Sequence, residues 1–170
     1  EKISFILDRA GIKENCAVLD VACGTGVLFP YYLRRNVSRV IGVDISPNMT
    51  RLAVAKNRDA RVEVICADIE ALPVHRRCDC CVVYNAFPHF PDPQVLVACL
   101  ANWVKPGGRL TVAHSMSLAA LKRHHEGSAE HVSRQMLEAQ ELANMFAPWF
   151  TVDCAVSDEE KYVVSGIRQQ

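Results

Sequence analysis

Residues 18–26, Val-Leu-Asp-Val-Ala-Cys-Gly-Thr-Gly, constrain this chain more than any other stretch. An apolar run of strand length ends in an acid, passes through a Gly-x-Gly turn and gives way to a helical pattern. A second acid, Asp44, closes another apolar run 20 residues after Gly24. A strand–turn–helix–strand unit takes this form when it wraps a nucleoside-bearing ligand. The glycines let the backbone come close, and an acid ending the next strand can accept from both ribose hydroxyls.

The pattern continues as alternating strands and helices. Ile3, Ile6, Leu7 and Ala10 fall on one helical face that Gly11 ends. Residues 17–22 read as a first strand, 26–35 as a helix and 40–45 as a second strand. Ser46-Pro47 is an N-cap followed by proline at the first helical position. Further strands are expected at 62–67, 80–84 and 109–113, with helices at 93–104 and 135–146. The stretches 150–156 and 162–167 flank the acidic turn Ser157-Asp158-Glu159-Glu160, which is hairpin chemistry. The expected fold is α/β: a Rossmann-like, doubly wound, mostly parallel sheet closed by a C-terminal antiparallel hairpin. Residues 1–170 read as one domain. The opening at Glu1, without Met and already helical, suggests that some N-terminal residues are missing.

Composition narrows the partners. Lysine plus arginine equals aspartate plus glutamate at 19 each, half the residues are apolar, and no basic stripe appears. A nucleic-acid partner is therefore not expected. No apolar run nears the ~20 residues of a membrane span, and no signal peptide is seen, so the expected location is cytoplasmic. Six of the eight cysteines, Cys16, Cys23, Cys66, Cys80, Cys81 and Cys99, sit in or beside apolar segments and read as reduced, buried thiols. Strand alternation should send Cys78 and Cys80 to one face and Cys81 to the other. No second Cys-x-x-Cys or His-x-x-x-His pair completes a zinc site, so no metal is expected from the cysteines.

A dinucleotide site would need a third glycine where Phe29 and Pro30 stand. Small residues run the other way instead, as Asp20-x-Ala22-x-Gly24-x-Gly26. Three later stretches complete the pattern: Gly42 to Met49, Ala67 to Pro73, and Leu100 to Leu110 with Lys105-Pro106-Gly107-Gly108. In this order and spacing the chain resembles a class I S-adenosylmethionine-dependent methyltransferase, of the group that includes small-molecule and quinone methyltransferases. The family's sheet typically has seven strands, the last antiparallel.

The resemblance implies a cofactor site, with S-adenosylhomocysteine as the product. Asp20, Ala22, Cys23, Gly24, Thr25 and Gly26 would border the methionine part. Asp44 would accept the ribose hydroxyls, with Ile45 and Met49 around the adenosine. Asp68 would accept from the adenine amino group, Ile69 would cover the ring, and Asn85 and Ala86 would lie near the sulfonium. Ala22 departs from the family, which commonly has glycine there. Plainer readings stand beside these. Asp44 could cap the next helix, although Ser46 already suits that task; Asp68 could be an ordinary strand-end acid; Met49 and Ile69 could be core.

Methyl transfer from a sulfonium needs alignment and exclusion of water, plus a base when the nucleophile is a hydroxyl or an acidic carbon. His89, His114 and His125 are the candidates, since imidazole titrates near neutrality. His89 could instead brace its loop, and exposed His124 and His125 could be merely solvated. A metal held by His89, His114 and His125 is a further alternative. Phe87, Phe90, Met116 and Trp149 would supply apolar walls or finish the core. The expected activity is methyl transfer to a small-molecule acceptor. The rivals are a nicotinamide-dependent oxidoreductase and a non-catalytic cofactor-binding module in an assembly. The sequence carries no marker of oligomeric state, and the segment 118–134, where the acceptor would be chosen, holds no decodable motif.

Overall fold

Seven strands form one sheet in the order β3-β2-β1-β4-β5-β7-β6. The computed structural model describes residues 1–117 and 136–170. Its elements run α1 (Lys2–Arg9), β1 (Ala17–Val21), α2 (Phe29–Arg34), β2 (Arg39–Asp44), α3 (Pro47–Lys56) and β3 (Val62–Cys66). They continue with β4 (Cys78–Tyr84), α4 (Pro93–Ala101), β5 (Val104–His114), α5 (Ala139–Phe146), β6 (Phe150–Ser157) and β7 (Tyr162–Arg168). β1 to β5 are mutually parallel, and β7 enters antiparallel between β5 and β6. The expected doubly wound sheet with a closing hairpin is therefore present. Strand order reverses between β1 and β4, which opens a crevice at the carboxyl ends of the strands.

Period-two alternation splits the core into two layers. Leu19, Val21, Cys81, Val83, Leu110 and Val112 face one side with Leu96, Leu100, Trp103, Leu142 and Phe146. Val18, Val40, Cys80 and Val82 face the other with Leu7, Leu28, Phe29 and Tyr32. Trp103, Tyr32, Tyr162 and Phe29 are among the largest fully buried side chains. Each contributes about 2–3 kcal/mol of burial.

Several boundaries differ from the sequence reading. The first crossover helix starts at Phe29 rather than residue 26, because Gly24–Leu28 is spent on the turn and Pro30 suits only the first helical turn. α4 ends at Ala101, so Val104 already belongs to β5. Cys78 and Cys80 do not share a face. Cys78 packs with Cys81 on one side of the sheet and Cys80 on the other. Pairing with β5 jumps from Cys78↔Val104 to Cys80↔Arg109, and this irregularity resets the alternation. Cys66, expected in the core, is exposed on the edge strand β3. All eight cysteines are free thiols.

Candidate functional site

The loop after β1 is built on left-handed backbone. Ala22, Gly24 and Gly26 have φ of 55°, 58° and 80°. That explains why glycine suits position 22, where alanine bears about 1–2 kcal/mol of strain. The loop folds over Cys23, whose carbonyl accepts from the Gly26 amide at 2.9 Å. A Cβ on Gly26 would lie 2.6 Å from the Phe29 ring, and one on Gly42 would lie 2.5 Å from the same ring. Phe29, standing where a dinucleotide fold has its third glycine, thus packs α2 onto β2 through two bare backbones. A Cβ on Gly24 would meet nothing within 4 Å. Open space remains there on the ligand side.

Asp44 ends β2 beneath this loop. Its Oδ2 accepts from the Gly24 amide at 2.9 Å, and its Oδ1 accepts from the Ser46 amide at 2.9 Å. Ser46, not Asp44, caps α3: its Oγ accepts from the Met49 amide. Asp68 is held in the same manner, with Oδ1 accepting from the Glu70 amide at 2.9 Å and its carbonyl accepting from Ala71 and Leu72. Asn85, at φ 56°, joins the ends of β4 and β5. Its Oδ1 accepts from the Ser115 amide at 2.9 Å, and its Nδ2 donates to Ser115 Oγ.

These strand ends surround a cavity of 620 Å³. Of the residues expected at a cofactor, Ala22, Gly24, Asp44, Ile45, Met49, Asp68, Ile69, Asn85 and Ala86 line it, and so does His89. Ile45 is 71% exposed and Met49 43% exposed, so both offer uncovered apolar surface rather than finished core. Ile69 is buried at the cavity floor. Val43, Ser46, Ala67, Glu70, Phe90 and Pro91 complete the wall. Of these the sequence motifs single out only Phe90 as a wall residue. Glu70 carried a usable signal, since it follows Asp68 by two residues on a turn that Asp68 itself pins. Burial raises its carboxyl pKa, and the charges of Asp68 and Asp92 add to the shift.

Four expected contacts do not line the cavity. Asp20 is 2% exposed on the β1 face that packs on α2, and burial pushes its carboxyl up to about 7 against a lowering contact from Tyr32. Cys23 points into the same layer, and burial pushes its thiol up. Thr25 and Gly26 sit on the turn behind it. Among the catalytic candidates, His89 lies exposed on a short 3-10 turn, Phe87–His89. His114 is 3% exposed, stacked edge-on against Tyr162 at 6.2 Å, and is not part of the cavity wall. It shares parity along β5 with Leu110 and Val112, so its ring turns to the α4–α5 layer. His125 lies outside the described residues, as do His124 and His131. Phe87 belongs to the core, Trp149 packs against it, and Met116 is partly exposed.

A family model described as a methyltransferase domain matches residues 19–112. The chain belongs to that methyltransferase domain family. This domain is 33% identical over 99 residues to a malonyl-[acyl-carrier protein] O-methyltransferase of Priestia megaterium, a match covering 58% of the chain and 36% of that protein. It is 36% identical over 112 residues to a ubiquinone biosynthesis O-methyltransferase of Neisseria meningitidis, covering 63% and 47%. The chain spans about a third to a half of the length of these curated relatives. Its fold matches the N-methyltransferase NodS of Bradyrhizobium japonicum in complex with S-adenosyl-L-homocysteine, with a TM-score of 0.76 and 16% identity over 98% of this chain and 85% of that one. The methyltransferase domain thus has the class I architecture, and the matched segment runs from β1 into β5 and takes in the ends of β1 to β4 that line the cavity. No helix among the described residues is long and apolar enough to cross a membrane.

Proposed function

We propose that this domain binds S-adenosylmethionine in the 620 Å³ cavity and transfers its methyl group to a small-molecule acceptor by in-line displacement. The observation that carries the reading is the pair of anchored acids, Asp44 and Asp68, on one cavity wall with the open face of Gly24 between strand ends. Each carboxylate already has an oxygen satisfied by backbone amides, which fixes its orientation before a ligand arrives. A fixed acceptor loses little entropy on binding. Asp44 would hold the ribose hydroxyls, Asp68 the adenine amino group, and Ile45, Met49 and Ile69 the apolar faces. Ala22 and Gly24 would line the methionine part.

Bound S-adenosylmethionine supplies an electrophilic methyl group on a good leaving group. The domain's residues need to align the acceptor and keep water out. Phe90 and Pro91 form an apolar rim suited to exclusion of water. Among the described residues His89 is the imidazole that lines the cavity, and it would take the proton from a hydroxyl or acidic-carbon acceptor. The named acceptors of the two relatives differ, and the balance of acidic and basic residues favours no polyanion. The eight free thiols suit a reducing, cytoplasmic setting.

A screen of phenolic, carboxylate, amine and thiol acceptors, read as release of S-adenosylhomocysteine by the purified chain, tests the assignment. Acceptor-dependent release supports it. Cofactor binding without release for any acceptor class would favour a binding module in a larger assembly.

A further inference from the structure

α1 is tied to the sheet at both of its ends. Ile6, at its middle, packs with Ala113 of β5 and Val163 of β7. At its carboxyl end the Arg9 carbonyl accepts from Ser165 Oγ at 2.9 Å and from Arg109 Nη1 at 3.4 Å. At its amino end Lys2 Nζ donates to the Ser115 carbonyl at 2.7 Å, one residue past the end of β5. The helix therefore runs antiparallel to β5, and its first turn stands at the edge of the sheet where the cofactor cavity opens.

Ser115 is held from its other side by Asn85, which lines that cavity. The Ser115 amide donates to Asn85 Oδ1 at 2.9 Å, and Asn85 Nδ2 donates to Ser115 Oγ at 3.1 Å. The Asn85 amide donates to the Ala113 carbonyl at 2.9 Å. Asn85 is left-handed, with φ 56°. A residue other than glycine keeps that backbone where its surroundings over-determine it, and the bonds to Ser115 and Ala113 do so here.

We propose that Ser115 and Lys2 are positioning residues of the methyl-transfer site: Lys2 fixes Ser115, and Ser115 fixes the Asn85 backbone in the cavity wall. The proposal rests on the cofactor reading of that cavity. Neither Ser115 nor Lys2 is part of the wall, so both act through Asn85. Asn85 follows β4, on the far side of β1 from Asp44 and Asp68. The link thus shapes the end of the cavity away from the adenosine, where the amino-acid part and its sulfur would lie. Without Lys2 or the Ser115 hydroxyl, Asn85 relaxes from its left-handed backbone and that end loses its shape. The acids at the adenosine end keep their own amide anchors.

The test compares two probes on the purified chain. Adenosine fills only the end at Asp44 and Asp68, whereas S-adenosylhomocysteine spans both ends. Calorimetry reads the affinity of S-adenosylhomocysteine, and displacement by it reads that of adenosine. Ser115→Ala and Lys2→Met should each weaken S-adenosylhomocysteine about 3–10-fold, the scale of one hydrogen bond, and change adenosine less than about twofold. Ser115→Thr and Lys2→Arg, which keep the hydroxyl and the cationic donor, should restore the parent value. A merely structural role would weaken both probes alike. Equal losses of both probes, no loss in either variant, or loss in only one of the two variants would overturn the proposal. A parent that binds neither probe would overturn the cofactor reading and this proposal with it; a parent that binds both, matched by its variants, overturns the proposal alone. Thermal unfolding checks that each variant folds; if Ser115→Ala does not, Lys2→Met against Lys2→Arg decides.

Discussion

The Gly24 amide donates to Asp44 Oδ2 at 2.9 Å, so the glycine loop and the acid ending β2 form a single unit. The other oxygen of Asp44 receives the Ser46 amide, which leads directly into α3. One carboxylate therefore sets the loop after β1, the entry to α3 and the proposed ribose position together.

Asp44→Asn keeps an acceptor oxygen but loses the charge and one acceptor, and should weaken S-adenosylmethionine binding about 10–100-fold, the worth of a charge-assisted hydrogen bond. Asp44→Ala should weaken it further, because the Gly24 and Ser46 amides then lose their partner. Competition with S-adenosylhomocysteine gives both affinities. Equal, unchanged affinities would remove Asp44 from the site.

Gly26→Ala places a methyl group 2.6 Å from the Phe29 ring at a φ of 80°. Strain and overpacking together should lower stability by about 2–4 kcal/mol. Urea unfolding measures this. Ala22→Gly, by contrast, relieves left-handed strain at a cavity-lining position and should leave stability within about 1 kcal/mol of the parent.

Asp20 should make stability fall as pH rises. Burial raises its folded-state pKa to about 7, well above its ordinary value, so the folded chain binds the proton more tightly than the unfolded chain. That stabilisation is complete at acid pH and lost between roughly pH 4 and 7. Asp20→Asn should flatten this slope. The variant should gain on the parent by a few kcal/mol, on the order of magnitude of the shift, between pH 5 and pH 8. Denaturation at both pH values reads it, and parallel curves for parent and variant would contradict the account.

The histidines separate by location. His89→Ala should lower turnover about 100-fold, the usual scale of a general base, with cofactor affinity retained. His114→Ala empties a buried position beside Tyr162 and should cost about 2 kcal/mol of stability. Turnover and thermal unfolding of the pair distinguish the roles.

Much of this arrangement is legible in the sequence because strand ends are punctuated by chemistry. Asp44 and Asp68 close apolar runs, Ser46-Pro47 announces α3, and the glycine spacing marks the loop. Strand-end position tells which edge of the sheet a residue occupies, but not which way its side chain turns. His114 shows the difference: it stands at the correct end of β5, yet parity turns it to the core. Asp20 and Cys23 sit within the loop motif but face α2. Cys78 changed faces because the Lys105–Gly108 irregularity in pairing interrupts a period that the β4 sequence alone presents as regular. Glu70 is not legible in the same way, because its place in the wall depends on how Asp68 folds the turn after β3.

Isothermal calorimetry of the purified chain tests most directly whether these strand ends hold S-adenosylmethionine. Titration with S-adenosylmethionine should give saturable one-to-one binding that Asp44→Asn weakens, and titration with NAD should give none. Binding of NAD without binding of S-adenosylmethionine would contradict the account.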